Sequence, residues 1–246
     1  MDGWCSVEDL TQVGFARSPV VMANEAHNGL LRCVRTREVG VRMIHAAHEA
    51  GVRRLAMEAL PSSANDPPEP IRDIPSRDGG YLAQPEMRRL IASALELGWT
   101  LWAYEADVDF RKSEAELLSL EFTNWREREQ AKNLSRLVSA APEDPLLVWC
   151  GNGHANKKKT DDGWIPMGYH FAATSGIEPF VIDQDITVDF TGQGPATWVR
   201  DLLAGLDDIL AAHGGCAGIV REQAPPPLDC LQEVDAVVVS TENELT

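Results

Sequence analysis

Hydrophobic and polar positions along the chain fall into short apolar runs separated by longer amphipathic stretches. Six runs predict strands: 19–24 (PVVMAN), 53–59 (RRLAMEA), 100–105 (TLWAYE), 145–150 (PLLVWC), 179–183 (PFVID) and 235–240 (DAVVVS). Several are continuous rather than alternating, the pattern of strands covered on both faces within a parallel sheet. Segments 34–50, 85–97, 113–140 and 196–213 carry the helical period between them. The alternation predicts a three-layer α/β/α fold with a mostly parallel central sheet. No repeat or linker divides it, so one domain over 1–246 is expected.

The 113–140 segment opens with Ser113 and Glu116, a capping-box pair. Leu117, Leu120, Ala131, Leu134 and Val138 supply an apolar face at helical spacing. Arg126, Gln130 and Asn133 form a separate polar stripe at i, i+4 and i+7. Periodicity alone favours a solvated face for this stripe; the functional reading turns it into a crevice. Residues 61–80 (PSSANDPPEPIRDIPSRDGG) continue neither helix nor strand. They directly follow the Glu58 strand end, so they are expected to overhang the crevice beyond it, and a loop of this length is a lid, a binding loop or a disordered segment.

Composition narrows the function classes. The 246 residues are 44% hydrophobic and 24% charged, with a net charge of −16. The acidic balance argues against nucleic acid and against an anionic membrane surface, both of which need a basic footprint. The opening MDGWCSVEDL lacks a basic segment followed by an apolar one, so no secretory signal is expected. No apolar stretch approaches the length of a membrane span. Five cysteines without CxxC spacing (Cys5, Cys33, Cys150, Cys216 and Cys230) are expected as reduced thiols in a cytoplasmic protein.

The candidate chemistry gathers where strands end. In open α/β sheets, ligands bind in the crevice outside the carboxyl ends of the strands. Glu25 and His27, in NEAHNG, lie two residues apart and project to the same side of an extended segment. Glu58 ends the second run, Glu105 the third, and His154 closes GNGH after the fourth. Gly151 and Gly153 let the backbone approach a ligand, and their N–H groups can receive an anion. Lys157, Lys158 and Lys159 follow, either as a solvated loop or as an attraction for an anionic group.

Other groups carry less. His45 and His48 read as packing and surface residues, since MIHAAHEAG is not HExxH. His170 has no spacing that requires it at a site, and His213 before two glycines reads as a helix end. Cys150, inside an apolar run, reads as a buried thiol, and Trp102, Trp125, Trp149 and Trp164 as core or pocket wall. There is no P-loop, and GNGHAN is not GxGxxG, so a nucleotide cofactor has no support.

The segments NEAH, LAMEAL, NWREREQAKNL and CGNGHANK, in this order, resemble the erythromycin esterase/ChaN-like superfamily, which includes the TIKI and TraB proteins. That group has a GExH-type motif after the first strand, a Glu ending the second, an RDxxMA-like helix and a GxGH-type motif. Here Asn24 replaces the first Gly, and the helix reads REREQA, with Arg126 retained and Glu127 for Asp. IPMGYHF (165–171) is similar to a later segment of the group. The resemblance spans roughly residues 19–185.

It implies a parallel-sheet α/β fold and a site of Glu25, His27, Glu58, Arg126 and His154. Asn24, Glu105, Gln130, Gly153 and Lys157 are the candidates for substrate contact. The expected activity is hydrolysis of a small-molecule or peptidic ester, lactone or amide. It would run through His/Glu acid–base chemistry, or through a divalent Mn, Zn, Co or Fe ion held by His27, His154 and Glu58. Two other outcomes stay open: haem or metal binding without turnover, and an elimination or isomerisation in natural product biosynthesis. Haem is the less favoured ligand.

Overall fold

The structure, a computed structural model, describes residues 3–25, 30–60, 69–73, 81–108, 112–188, 205–226, 228 and 234–241. His27 and most of the 61–80 loop lie outside the described residues.

All six predicted strands are present, each within a few residues of its expected span: β2 (Val20–Glu25), β3 (Arg54–Met57), β4 (Thr100–Ala103), β5 (Leu146–Gly151), β6 (Phe180–Val188) and β8 (Ala236–Thr241). Two more, β1 (Trp4–Cys5) and β7 (Cys216–Val220), complete an eight-stranded sheet ordered β1-β7-β8-β6-β2-β5-β3-β4. Pairing is parallel from β8 through β4 and antiparallel only where β7 meets β8 and β1. The fold is therefore the expected three-layer α/β/α architecture.

The helices among the described residues are α1 (Val7–Arg17), α2 (Leu30–Glu49), α3 (Pro85–Glu96), α4 (Glu114–Leu117), α5 (Leu120–Ala140), α6 (Met167–Ser175) and α7 (Leu206–Ala212). Strand alternation sorts them into two layers. Val21 and Ala23 of β2 join a core with residues of α1, α2 and α3, while Val20 and Met22 join one with α5, α6 and α7. Both faces of β2 and β5 are covered, and every residue of those strands is buried. That is why the runs read as continuous apolar segments.

The expected 113–140 helix is two helices. Ser113 caps α4, with Glu116 closing the capping box as predicted. Ser119 then accepts the N–H of Phe122 at 3.2 Å and starts α5 afresh. A second N-cap ends the first helix because its residue takes an extended conformation. Leu120, placed by periodicity on the apolar face, is exposed at this corner. Within 61–80, Ile71 forms an isolated antiparallel bridge to Leu101, on the outer edge of β4. No helix among the described residues is long and apolar enough to cross a membrane.

Candidate functional site

β2, β5 and β3 lie side by side, so their carboxyl ends deliver Glu25, Gly151 and Glu58 to one place. Glu25 is in register with Gly151, and the Glu58 N–H continues the ladder to the Trp149 carbonyl at 3.3 Å. Beyond these ends is a cleft of about 380 Å³, whose walls include Glu25, Glu58, Glu105, Arg126, Trp149 and His154. Four of the five principal site candidates are thus brought together; the fifth, His27, lies outside the described residues.

The cleft is organised by two guanidinium groups. Arg37 of α2 is fully buried and holds Glu25 through two bonds, Nε to Oε2 at 2.8 Å and Nη2 to Oε1 at 3.0 Å. Trp149 Nε1 donates a third, at 3.0 Å. A carboxylate so occupied is an anchor rather than a free base. Arg126 of α5 spans Glu58 and Glu105. Its Nη2 donates to both carboxylates, and its Nε to Glu105 at 3.0 Å. Gln130 Nε2 adds a bond to Glu105 at 3.1 Å, and Asn133 Nδ2 bonds the carbonyls of Tyr104 and Glu105. The stripe of Arg126, Gln130 and Asn133 therefore faces the carboxyl end of β4, against the solvated face that periodicity favoured.

His154 is held by its loop and by a carboxylate behind it. Gly151 accepts the His154 N–H at 3.4 Å, closing the turn, and Gly153 has a φ of +79°. A Cβ on Gly153 would sit 2.6 Å from the Trp164 ring, so this position excludes a side chain on two counts. The His154 carbonyl accepts the Gly168 N–H at 2.8 Å, pinning the loop to α6. His154 Nδ1 lies 2.6 Å from Glu127 Oε1, and its Nε2 lies 3.7 Å from Glu58 Oε1.

Glu127 is wholly buried and also accepts Trp164 Nε1 at 3.1 Å and the Met167 N–H at 2.7 Å. Burial opposes the charge on His154, but Glu58 and Glu127 outweigh it and raise the pKa above 6.5. Burial likewise opposes the charge on Glu58. There His154, Arg126 and the Gly151 N–H prevail, and the pKa falls below its ordinary value. The Cys150 thiol on the cleft wall is driven well up by burial, with Glu58, Glu127 and Glu25 adding to the shift, so it stays protonated.

Several predicted contacts lie elsewhere. Asn24 turns to β6: Nδ2 bonds Asp183, Oδ1 accepts the Gln184 N–H at 2.7 Å, and the Asn24 carbonyl accepts Gln184 Nε2. Lys157 pairs with Glu178 and Asp235, tying its loop to the β6–β8 region. Gly153 packs under Trp164. Gly151 spends its N–H on Glu58 Oε2 at 2.8 Å, so it offers no free anion donor. Glu105 lines the cleft, while Gln130 supports it from behind. The residues that sequence reasoning passed over are Arg37 and Glu127. Glu127 had a signal, its place beside Arg126 in REREQA; Arg37 had none, because its partners come from β2 and from Gln84.

The donors fit a metal poorly. Both oxygens of Glu58 are taken, one by Arg126 and one by Gly151, and both of Glu105 by Arg126. Among the described residues, no group of three or more His, Cys, Asp or Glu side chains is arranged to hold an ion.

No family model matches the chain, and no curated protein matches it. Solved structures do. A mutant of the erythromycin esterase EreC in its open conformation is similar at TM-score 0.57 and 12% identity, covering 96% of this chain and 93% of its own. The type III effector HopBA1 gives 0.52 and 18%, covering 97% and 94%. A Bacillus cereus protein gives 0.51 and 10%, covering 96% and 92%. A structure of bacterial protein toxins is matched over 73% of this chain, which spans only 36% of that one, at TM-score 0.48 and 15% identity. The ChaN-like, TIKI and TraB part of the sequence resemblance rests on its motifs alone. At these identities the likeness concerns architecture: the chain shares its α/β/α fold with an erythromycin esterase and with a bacterial effector.

Proposed function

We propose that the protein hydrolyses an ester, lactone or amide bond of a small-molecule or peptidic substrate, with His154 moving the proton. The observation that carries this reading is the setting of His154, tied at Nδ1 to a buried carboxylate and presenting Nε2 at the cleft. Beside a carboxylate at 2.6 Å, Nδ1 carries the hydrogen. Nε2 is then the acceptor. It takes a proton from water as the oxygen adds to the substrate carbonyl, and Glu127 and Glu58 stabilise the imidazolium. The same proton passes to the leaving alcohol or amine as the carbon–oxygen or carbon–nitrogen bond breaks.

Arg126 supplies the complement. Its Nε and Nη2 are occupied, while Nη1 has no partner among the described residues, and the side chain lines the cleft. Nη1 is the donor available to a developing oxyanion. Because the two carboxylates of Glu58 and Glu105 more than offset its single charge, Arg126 is poorly suited to a substrate carboxylate, and a neutral scissile group fits better. His27, two residues after Glu25 in the sequence, is proposed as a second imidazole of the site.

The test is a panel of activated esters, lactones and anilides offered to wild type and to His154→Ala. Turnover by the wild type that disappears in a folded His154→Ala supports the reading. Equal turnover by both removes His154 from the chemistry.

A further inference from the structure

The pair Arg126–Glu105 is a partition as well as a wall. On its other side lies a second hollow of about 260 Å³, bounded by Glu105, Val108, Leu117, Phe122, Thr123 and Arg126. Glu105 and Arg126 line both spaces. Three of the four remaining residues, Val108, Leu117 and Phe122, are apolar, so beyond the ion pair the hollow presents a mainly apolar wall.

Its walls are built in advance. Ser113 and Glu116 cap each other at α4, fixing the turn that carries Leu117. Ser119 Oγ donates to the Glu116 carbonyl at 2.7 Å and accepts the Phe122 N–H at 3.2 Å. Two N-caps in seven residues thus lock the corner presenting Leu117 and Phe122. Phe122 is further braced by Trp125, with ring centroids 5.2 Å apart. Ligand sites are commonly preformed, apolar and edged by a few placed polar groups.

We propose that this hollow is a subsite for an apolar arm of the substrate, a short alkyl or aryl group, with the scissile bond lying over Arg126. The inference rests on the hydrolase reading and narrows its substrate class. The volume equals that of roughly nine liquid waters, enough for a short chain or a single ring and too little for a long lipid tail. A substrate so held straddles the ion pair, and its carbonyl is brought to Arg126 and His154.

The experiment compares 4-nitrophenyl acetate, butyrate and hexanoate with wild type, Phe122→Ala and Thr123→Phe, the last of which fills the hollow. Alongside it, calorimetric titration with acetamide and hexanamide, each checked for intactness after the run, reads affinity directly. Wild-type kcat/KM should climb with acyl length, by up to about fourfold per buried methylene. Hexanamide should bind at least tenfold more tightly than acetamide, and Thr123→Phe should bring both ratios close to one. A flat series in an active wild type, or a climb that survives both substitutions, overturns the subsite and leaves the hydrolase reading standing. If the wild type turns over none of the esters, the hydrolase reading is in difficulty and the titration decides the subsite alone. Hexanamide preferred in wild type and not in Thr123→Phe then supports it, and equal affinity for the two amides overturns it.

Discussion

Glu127 Oε1 stands 2.6 Å from Nδ1 of His154, from a position wholly shielded from solvent. A buried carboxylate is tolerated only when it is fully partnered. Here three donors meet it: the imidazole, the Trp164 indole and the Met167 backbone. Glu127 therefore joins the fold of the 154–168 segment to the orientation of the catalytic candidate.

Truncating this carboxylate should cost stability as well as function. Glu127→Ala leaves three donors unpaired, and breaking buried polar pairs of this kind typically costs about 3–5 kcal/mol. Urea denaturation of wild type and variant reads the difference. A loss below about 0.5 kcal/mol, the size of an ordinary surface substitution, would mean that water or a shifted side chain replaces Glu127 readily.

Arg126 should not be replaceable by lysine. A lysine ammonium puts its three donors on one nitrogen, so it cannot keep the Nε and Nη2 bonds to the two carboxylates and still aim a separate Nη1 into the cleft, as the planar guanidinium fork does. Arg126→Lys is expected to lower kcat by about 10²–10³-fold, the usual effect of losing an oxyanion donor. Steady-state kinetics on the best substrate checks this. An unchanged kcat would return Arg126 to a structural role between the two carboxylates.

Exhaustive dialysis against a chelator should leave kcat/KM unchanged. The Glu58 and Glu105 oxygens are occupied by Arg126 and Gly151, so a divalent ion would have to compete with a guanidinium or a backbone N–H for each of them. Activity lost on chelation and restored by Mn²⁺ or Zn²⁺ would instead place a metal beside His27 and His154.

Gly168 should tolerate no side chain. A Cβ there would overlap the carbonyl of Ala155, directly after His154. Gly168→Ala must push α6 away from the loop, at about 1–3 kcal/mol for overpacking, and shift His154 with it. Thermal melting and kcat measured together check both effects. A fall in stability with kcat intact would show that His154 is positioned without α6.

Much of the architecture was legible because parallel strands buried on both faces leave continuous apolar runs. The antiparallel pair was not. β7 is five residues long with Gly218 at its centre, where a Cβ would press on Leu10, and β1 is two residues. The break at Ser119 was hidden because Leu117 and Leu120 keep the helical spacing across it. In the site, strand-end residues could be found from sequence since topology alone delivers Glu25, Glu58, Glu105 and His154 to one edge. Partners could not: Arg37 reaches Glu25 from a neighbouring helix, and Asn24 turns to Asp183, about 160 residues away. The polar stripe on α5 could be settled only once β4 was known to lie against it.

The most direct test is the pH dependence of kcat/KM for wild type and Glu127→Gln. As a base, His154 must lose its proton, so activity should rise through a pKa above 6.5, held up by Glu58 and Glu127 against the opposing effect of burial. Removing one of those charges in Glu127→Gln should move this rise to lower pH as kcat falls. A wild-type profile with no such rise, or one that Glu127→Gln leaves in place, would contradict the assignment of His154 as the proton-moving group.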